Sequence, residues 1–285
     1  MTRILVADDD RTTRLLLTET LRAAKFQVAA VADGEAVLKK LKASKFDLIL
    51  LDVWMPRMNG IEVLAALRKN TKRPKVIVMT SDDTPETLLS AIREQAYQYI
   101  TKPIEPKTLV AQIRESMAKK SDALPIEVIS ARPTWVELLV PCSLEAAERI
   151  EGFMAHLKAG LSEDAQRAVG QAFHELLLNA VEWGGKLDPS RKVRISYLRA
   201  KRMLLYRIAD PGPGFKFAEL DHAAISHMPD EPTAHDVIRQ EKGLRPGGFG
   251  LLLAKANVDD LLYNEAQNEV VFVKYLDDGT APPSS

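Results

Sequence analysis

Apolar positions in the first part of the chain follow two alternating patterns. Short, mostly apolar runs are typical of buried strands, and the longer segments between them repeat apolar residues with the period of amphipathic helices. Repeated alternation of strand and helix predicts an α/β domain in which helices cover both faces of a parallel, doubly wound sheet. The five predicted strands carry the sequences RILVAD, FQVAAV, DLILLD, KVIVMT and AYQYIT.

A short segment of charged and small residues interrupts this alternation. Its sequence, KKSDALP, ends at Pro125 and has the composition of a linker between domains. The chain length agrees with a division, because single hydrophobic cores rarely grow beyond about 250–300 residues. The predicted parts are a first domain at 1–120, a linker at 121–125, a second domain at 126–276 and a disordered tail at 277–285.

The pattern beyond the linker groups helices together instead of alternating them with strands. Two strands, IEVIS and WVELLVP, precede two helices that Ser143 and Ser162 are placed to cap, the first helix running through Lys158. The strands KVRISYLR, MLLYRIAD and EVVFVKYL follow. Helices packed against a mostly antiparallel sheet form a two-layer α/β sandwich, which we predict for this part of the chain.

The composition narrows the classes of function. The 39 basic and 39 acidic residues cancel, and the sequence shows no basic recognition helix, so we expect no DNA binding. Apolar runs stay shorter than the roughly 18–20 residues of a membrane span, so we expect no membrane association. The single cysteine and the lack of a signal-peptide pattern favour a reducing compartment, and we expect a cytoplasmic protein.

Charged and hydroxyl side chains stand at the carboxyl ends of four predicted strands. They are Asp8 and Asp9, Asp52, Thr80 and Lys102. In an open parallel sheet these ends meet at one edge, where ligands bind. Converging carboxylates repel each other unless a cation lies among them, and Mg²⁺ prefers oxygen ligands. The arrangement predicts a phosphoryl-acceptor site with Asp52 as nucleophile, although each residue alone also fits a turn or cap.

Four motifs at these strand ends resemble the receiver domain of two-component response regulators. They are ILVADDD, DLILLDVWMPRMNG, VIVMTS and YQYITKPI, and the resemblance covers 1–120. It implies that Asp9, Asp52 and the backbone carbonyl of Trp54 bind Mg²⁺. Asp8 would support the metal, through a water molecule.

The same resemblance assigns the phosphorylation chemistry. It implies that Asp52 accepts a phosphoryl group from a sensor histidine kinase and that Thr80 and Lys102 engage this group. Tyr99 occupies the position of the aromatic switch residue of the family. Phosphorylation would shift the domain between two conformations and so control the domain that follows it.

The helix FHELLLNAVEWGG carries two polar residues on one face. Glu175 and Asn179 are four residues apart and project from the same side of the helix. Taken alone, this also fits a core helix with one polar edge and a glycine stop. Downstream, Asp210, Gly212 and Gly214 follow a strand in RIADPGPGF, where a carboxylate between glycine turns is suited to accept from an adenine amino group.

A glycine cluster precedes the last predicted helix, in RPGGFGLLLAKA. Gly247, Gly248 and Gly250 let backbone N–H groups approach a phosphate, and the helix N-terminus favours the anion. Asn179 can then complete the ligand shell of a Mg²⁺ ion shared with a triphosphate, and Glu175 can accept a proton from an attacking hydroxyl or water. Together these motifs predict an ATP site, although each motif alone is weak.

In this order the motifs resemble the GHKL-type ATP-binding domain shared by gyrase, heat-shock protein 90 and histidine kinases. They are most similar to the anti-sigma-factor serine kinases, and the resemblance covers 126–276. It implies a domain that binds ATP and Mg²⁺ and phosphorylates Ser or Thr of an anti-sigma antagonist, or holds a sigma factor-like protein. Phe215–Arg245 would form the ATP lid, from which Arg245 or Lys242 would reach the γ-phosphate.

Two other interpretations stay open. In one, ATP is a structural ligand and the domain is a non-catalytic module that switches between binding partners. In the other, the chain is an atypical histidine kinase that acts on its own receiver, although the sequence offers no room for the two-helix hairpin that would carry a phosphorylated histidine. The sequence does not decide whether the second domain turns over ATP or whether phosphorylation of Asp52 activates or inhibits it. It also leaves the oligomeric state open, with a homodimer as one option.

Overall fold

The structure is a computed structural model that describes residues 2–68, 73–81, 84–118, 124–132, 134–157, 161–214 and 250–276. The chain forms two compact units, Met1–Ala123 and Leu124–Ser285. Predictions for the ATP lid, for the tail and for Arg245, Gly247 and Gly248 concern residues outside the described ranges. Among the described helices, none combines the length and the apolar character needed to cross a membrane.

The first unit contains a five-stranded parallel sheet with helices between successive strands. The strands are β1 (Arg3–Ala7), β2 (Gln27–Val31), β3 (Leu48–Asp52), β4 (Lys75–Thr80) and β5 (Gln98–Thr101). The helices are α1 (Arg11–Ala23), α2 (Gly34–Ala43), α3 (Gly60–Leu67), α4 (Pro85–Arg93) and α5 (Pro106–Ala118). The strand order β2-β1-β3-β4-β5 is that of a doubly wound domain, which confirms the predicted fold.

The strands of this unit are apolar on both faces because helices cover both sides of the sheet. In β3, every residue from Leu48 to Asp52 is buried. One face packs against α1 and α5, where a single cluster of buried side chains forms. This cluster contains Ile4, Val6, Leu17, Leu21, Leu48, Leu50, Ile77, Met79, Leu109 and Ile113.

Side-chain caps fix the helix starts that follow the strand ends. Asp10 accepts a hydrogen bond from the Thr13 N–H at 2.7 Å at the start of α1. α3 begins with a capping box, in which Asn59 accepts from the Glu62 N–H at 2.9 Å and Glu62 accepts from the Asn59 N–H at 2.8 Å. These bonds satisfy N–H groups that the first helical turn leaves without partners.

Replacing Asn59 with alanine should lower the free energy of unfolding by about 1 kcal/mol, because the Glu62 N–H loses its acceptor. Chemical denaturation of the full chain, followed by circular dichroism, measures the change. Thr84→Ala is the matched control with a smaller expected loss: Thr84 occupies the N-cap of α4 and its hydroxyl donates to the Thr87 hydroxyl at 3.1 Å, but its side chain makes no cap hydrogen bond among the described residues. Equal losses in the two variants would contradict the assigned role of the Asn59 cap.

The second unit is a six-stranded antiparallel sheet with helices packed on it, as predicted. Its strands are β6 (Glu127–Arg132), β7 (Trp135–Pro141), β8 (Lys192–Ala200), β9 (Met203–Ala209), β10 (Asp260–Tyr263) and β11 (Glu269–Tyr275). Its described helices are α6 (Leu144–His156), α7 (Glu163–Asn179) and α8 (Gly250–Asn257). The strand order is β10-β11-β9-β8-β7-β6.

An aromatic cluster fixes α7 on the inner face of this sheet. The rings of Tyr206 in β9 and Phe272 in β11 stack with centroids 4.8 Å apart, and Phe173 of α7 lies 5.3 Å from Tyr206. Tyr197 of β8 adds an edge contact to Tyr206 at 5.1 Å. Because all four rings are buried, the polar face of α7 has a fixed position relative to the ends of the strands.

Two features of the second unit differ from the prediction. The helical segment ends at Gly184 with Gly185 as its cap, as the predicted glycine stop requires, but its last turn, Ala180–Gly184, is π-helical. The short strand β10 is an addition, because DLLY is too short to produce a clear alternating pattern. The first helix ends at His156, and Lys158 lies outside the described residues.

Candidate functional site

Three carboxylates converge at the carboxyl end of the first sheet. Asp8, Asp9 and Asp52 each place one oxygen within 4.8 Å of the others. Asp8 and Asp52 are buried, whereas Asp9 is exposed. The parallel register of β1 and β3, with Ala7 level with Leu51, brings them together. The structure thus assembles the predicted acidic residues, and their role stays a prediction.

A lysine ammonium lies among these carboxylates. Lys102 Nζ is 2.9 Å from Asp8 Oδ2 and 3.1 Å from Asp52 Oδ2. Burial raises the pKa of Asp52 in spite of the nearby ammonium, and the charge of Asp8 adds to the rise. Burial acts to lower the pKa of Lys102, but the hydrogen bond to Asp8 and the charge of Asp52 raise it overall. One ammonium facing three carboxylates leaves an excess of negative charge that favours a bound cation.

Thr80, Tyr99 and Trp54 are the remaining predicted residues of this site. Thr80 is fully buried at the end of β4, level with Thr101, and its carbonyl accepts from the Lys102 N–H at 2.7 Å. Tyr99 is buried within β5. Trp54, two residues after Asp52, is 56% exposed. The predicted switch residue is therefore inside the domain in this structure, and the tryptophan faces solvent.

Three residues that shape this site escaped the sequence prediction. Arg14 donates to the backbone carbonyl of Asp8 at 2.6 Å, and the Asp10 N–H donates to Asp8 Oδ1 at 2.9 Å. A Cβ at Gly60 would lie 2.2 Å from the Asp52 carbonyl oxygen, so this position has no space for a side chain. The acidic run DDD and the pair Asn-Gly are visible in the sequence and lie within eight residues of their partners, but the pattern alone does not show which backbone groups these residues contact.

The oxygen ligands of the first site fit a hard divalent cation. Mg²⁺ binds carboxylate, carbonyl and water oxygens, and the three carboxylates supply oxygens at one point. Within the described ranges, no other group of three His, Cys, Asp or Glu residues is close enough to hold a metal.

The second candidate site lies where α7 ends near the last residue of β9. Glu175 and Asn179 are both part-buried on α7, and the π-helical turn carries the chain on to Gly184. A Cβ at Gly184 would lie 2.1 Å from Asp210 Cγ. The missing side chain therefore lets Asp210, which directly follows β9, pack against the end of the helical segment that carries Asn179.

The loop after Asp210 folds around its carboxylate. The Gly212 N–H donates to Asp210 Oδ1 at 2.7 Å, and the Asp210 N–H donates to the carbonyl of Asn268 at 2.8 Å. Asn268, which the sequence prediction did not include, closes the loop by donating to the Gly212 carbonyl at 2.9 Å. Gly214 has φ of +87°, and a Cβ there would lie 1.6 Å from the Ala266 carbonyl oxygen, so the turn requires glycine.

Asp210 is a half-buried acid, and only one of its two carboxylate oxygens accepts a hydrogen bond from the described residues. Burial raises its pKa, while the Gly212 N–H and the positive charge of Arg191 act in the opposite direction. Burial, together with the charge of Asp210, also raises the pKa of Tyr263. Within the described part of the chain, Gly212 supplies the only hydrogen bond to the Asp210 carboxylate. The second carboxylate oxygen can therefore accept from a ligand amino group.

Glu175 lies against the first residue of α8. A Cβ at Gly250 would be 2.2 Å from Glu175 Oε2, so glycine lets the carboxylate approach the start of this helix. A helix N-terminus favours a negative charge, which makes this a stable position for the glutamate. Arg245, Gly247 and Gly248 lie outside the described residues, and phosphate binding by this segment stays a prediction.

Cys142 lies beside the second site, and the rate at which its thiol is modified reports whether this part of the chain is folded. It is the only cysteine of the chain, it is buried, and a Cβ at Gly185 would lie 2.3 Å from its Sγ. Burial raises the pKa of the thiol to about 11. We expect a thiol reagent at mildly alkaline pH to modify the folded chain at least about a hundredfold more slowly than the urea-unfolded chain. Equal rates in the two states would contradict the buried position.

The sequence matches two family profiles in succession. Residues 4–114 match the family described as "Response regulator receiver domain". Residues 141–274 match the family described as "Histidine kinase-like ATPase domain". The first match contains the acidic cluster, and the second contains α7 and the Asp210 loop.

Curated relatives agree with the first match. "DNA-binding response regulator MtrA" of Mycobacterium tuberculosis (strain ATCC 25618 / H37Rv) is 33% identical over 202 residues, which are 70% of this chain and 87% of that protein. "Transcriptional regulatory protein CpxR" of Escherichia coli (strain K12) is 41% identical over 114 residues, 40% of this chain and 48% of that protein.

The structure of chemotaxis response regulator CheY4 of Vibrio cholerae aligns with 40% of this chain and 98% of its own, at 31% identity and a TM-score of 0.39. The first profile match, the coverage of the MtrA relative and the doubly wound sheet all indicate a response regulator, and the second profile match identifies the domain that follows the receiver. The chain belongs to the response regulators and joins a receiver domain to a histidine kinase-like ATPase domain.

Proposed function

We propose that the receiver domain accepts a phosphoryl group on Asp52 from a sensor histidine kinase, and that this event controls the ATPase-like domain. The convergence of three carboxylates within 4.8 Å, with Lys102 at 2.9 Å from Asp8 and 3.1 Å from Asp52, carries the proposal. Phosphoryl transfer to an acid requires a carboxylate nucleophile and groups that offset negative charge, and both are present at this edge.

The transfer is a displacement at phosphorus. An oxygen of Asp52 forms the new P–O bond, the P–N bond to the kinase histidine breaks, and its electron pair leaves with the imidazole. Asp8, Asp9 and the Trp54 carbonyl would hold Mg²⁺ together with Asp52. When bound, this cation offsets the negative charge of the phosphoryl oxygens.

Lys102 and Thr80 would bind the new phosphoryl group. The ammonium already contacts Asp8 and Asp52, so a phosphoryl oxygen on Asp52 would lie within its reach. Thr80 is buried at the end of the neighbouring strand and offers a hydroxyl. We propose that these contacts favour a second conformation in which Tyr99 is reoriented, as in a two-state switch.

ATP would bind in the second domain beside Asp210. The Asp210 oxygen that accepts no hydrogen bond from the described residues suits the amino group of adenine, and Gly184 lets the carboxylate pack against the end of the helical segment. Asn179 offers a carboxamide oxygen for the Mg²⁺ that accompanies a triphosphate. The loop glycines Gly212 and Gly214 hold the carboxylate in place. The residues proposed to bind phosphate are Arg245, Gly247, Gly248 and Gly250.

The proposed output is control of a regulatory protein in the cytoplasm. The ATPase-like domain would transfer the γ-phosphoryl group to a serine or threonine of an anti-sigma antagonist, or sequester a sigma factor-like protein. In the kinase reaction Glu175 would accept the proton of the attacking hydroxyl while the new P–O bond forms and the bond to the β-phosphate oxygen breaks.

The position of Glu175 supports a second candidate function. Its carboxylate lies against Gly250 at the start of α8, where it stabilises the helix N-terminus and is less available as a base. A non-catalytic module would use ATP as a structural ligand, and phosphorylation of Asp52 would change which protein partner it binds.

The fate of the label from γ-labelled ATP distinguishes a serine/threonine kinase from a non-catalytic module and from an atypical histidine kinase. The full chain is incubated with Mg²⁺ and γ-labelled ATP, with and without an anti-sigma antagonist protein. A kinase places label on the serine or threonine of the antagonist, and Glu175→Gln lowers this transfer at least about a hundredfold without loss of ATP binding. A non-catalytic module binds ATP and transfers nothing. An atypical histidine kinase labels its own Asp52. Failure to bind ATP would contradict the proposed site.

DNA binding is not part of the proposed output. The name of the MtrA relative states that it binds DNA, but 141–274 of this chain match an ATPase-like family instead. The balanced charge, 39 basic against 39 acidic residues, supplies no excess of cations for a phosphate backbone.

A further inference from the structure

The loop between β3 and α3 carries the backbone carbonyl that is proposed to bind Mg²⁺. This loop, 53–59, follows Asp52 directly and contains Trp54. Its base is closed by backbone, because the Gly60 N–H donates to the Val53 carbonyl at 2.8 Å. This hydrogen bond joins the two ends of the loop, and the position of its far end depends on other contacts.

The far end of the loop contacts the corner between β2 and α2. Arg57 makes an ion pair with Asp33, the N-cap residue of α2, and its Nε lies 4.0 Å from a carboxylate oxygen of Glu35. Beside this pair, a Cβ at Gly34 would lie 2.4 Å from the Met58 carbonyl oxygen. Backbone therefore packs closely on backbone at the point where the ion pair joins segments that are 24 residues apart in sequence.

Arg57 also has an uncommon backbone conformation. Its φ is +68°, in the left-handed region that residues other than glycine rarely adopt. Such a conformation persists where the surrounding contacts hold it. The side chain of Asp33 is only 9% exposed, so the ion pair attaches the arginine to a buried group. The conformation and the ion pair together indicate that the far end of the loop is held at Arg57.

The pair is ionised at neutral pH. The hydrogen bond from Arg57 holds the pKa of the Asp33 carboxyl below its usual range, and the Ala36 N–H lowers it further. The same contact raises the pKa of Arg57. Because the Arg57 side chain is 55% exposed, water screens the pair, and its contribution to the overall stability of the domain should be small. Its main effect is therefore on the local position of the loop.

The corner that holds Arg57 is itself attached to the strand that carries two of the acids. β1 and β2 pair in parallel, and the Asp8 N–H donates to the Val31 carbonyl at 3.3 Å. Asp33 follows two residues after Val31. The ion pair therefore links the loop that follows Asp52 to the strand end that carries Asp8.

We propose that Arg57 is a positioning residue for the cation site: its ion pair with Asp33 holds the loop that carries the Trp54 carbonyl in the position that Mg²⁺ binding requires. This inference rests on the proposed binding of Mg²⁺ by the receiver domain. Arg57 is not itself a ligand, because a guanidinium repels a cation. Mg²⁺ demands nearly ideal octahedral geometry, so a small displacement of one ligand weakens its binding.

Electrostatics alone predicts a different result from positioning. Arg57→Gln removes a positive charge near a cation site, which by itself should tighten Mg²⁺ binding, whereas Asp33→Asn removes a negative charge and should weaken it. If the pair positions the loop, both changes weaken binding. Asp33→Asn keeps a side-chain oxygen that can accept from the Ala36 N–H, so the cap of α2 is retained.

Calorimetric titration of the full chain with Mg²⁺, in the absence of ATP, tests the positioning role. We expect Arg57→Gln and Asp33→Asn each to raise the Mg²⁺ dissociation constant at least about tenfold, as is typical when a group that orients a metal ligand is removed. The double variant should lie within about twofold of the weaker single variant, because both changes remove the same contact. Glu35→Gln is the matched control: it removes one negative charge from the same corner, and the affinity should change less than about twofold.

Hydrogen exchange of the metal-free chain gives a second measurement. The Met58 N–H donates to the Pro56 carbonyl at 2.8 Å within the loop, and it should exchange at least about tenfold faster in Arg57→Gln. The Val63 N–H, which donates to the Asn59 carbonyl at 3.1 Å in α3, should keep its rate because the helix stays folded.

The outcomes separate this inference from the proposed function. Tighter Mg²⁺ binding by Arg57→Gln, additive losses in the double variant, or an equal loss in Glu35→Gln would each overturn the positioning role while leaving Mg²⁺ binding by the receiver intact. A parent chain that binds no Mg²⁺ would contradict the proposed function and, with it, this inference.

Discussion

Replacing Asp52 with asparagine should abolish phosphorylation of the receiver. Incubated with Mg²⁺ and a small acyl-phosphate donor, the parent chain should gain the mass of one phosphoryl group, and the variant should gain none, because an amide oxygen is not a nucleophile at this step. Intact-protein mass spectrometry measures the gain. Asp47→Asn is the matched control, since Asp47 directly precedes the same strand at its opposite end and should leave phosphorylation unchanged.

The stability of the Asp52→Asn variant should not fall at neutral pH. The folded pKa of Asp52 is raised by burial, so this acid contributes to stability below its unfolded pKa and loses that contribution as the pH rises through the folded pKa. Removing the ionised group should therefore leave the free energy of unfolding at neutral pH unchanged or higher. If Asp52→Asn were still phosphorylated by the acyl-phosphate donor, the phosphoryl acceptor would be a residue other than Asp52, and the prediction would be wrong.

Replacing Gly184 with alanine should abolish measurable ATP binding by the second domain. The new Cβ would lie 2.1 Å from Asp210 Cγ and 2.2 Å from its Oδ1, so the carboxylate must leave its position. The free energy of unfolding should also fall by about 1–3 kcal/mol, because the packed segment has to shift. Isothermal titration calorimetry with Mg²⁺ and ATP measures the affinity, and thermal denaturation measures the stability.

Gly152 supplies the matched control for this change. It lies within α6, and a Cβ there meets no atom within 4 Å. Gly152→Ala should leave the ATP affinity unchanged and raise the free energy of unfolding by about 0.5–1 kcal/mol, as alanine favours a helix more than glycine does. If Gly184→Ala bound ATP as tightly as Gly152→Ala, the close packing of Asp210 would have no role in nucleotide binding.

The receiver fold could be predicted from the sequence because a buried parallel sheet produces a distinct pattern of uninterrupted apolar runs. Uninterrupted apolar runs such as LILLD require cover on both faces, and helical segments of the right period stood between them. Parallel strands place their carboxyl ends together, so spacing alone predicted that Asp8, Asp52 and Lys102 would meet. The distances of 2.9 and 3.1 Å and the burial of two acids were not predictable, because they depend on packing between distant segments.

The second domain shows where sequence reasoning stops. The glycines after Asn179 correctly indicated the end of the helical segment, but the pattern did not predict its π-helical last turn or the close contact of Gly184 with Asp210. Asn268 was missed because it approaches Gly212 only when the antiparallel strands β9 and β11 pair. Local patterns identify residue types that suit a ligand, whereas the partners that orient them come from long-range pairing.

Control of the ATP site by Asp52 is the central claim, and calorimetry of the full chain tests it directly. ATP affinity is measured with Mg²⁺ in the presence and absence of beryllofluoride, a mimic of the acyl phosphate. We expect the two affinities to differ at least about fivefold, which is a typical coupling between sites, and the difference to vanish in Asp52→Asn. Equal affinities in the parent chain, or a difference that persists in the variant, would contradict the account.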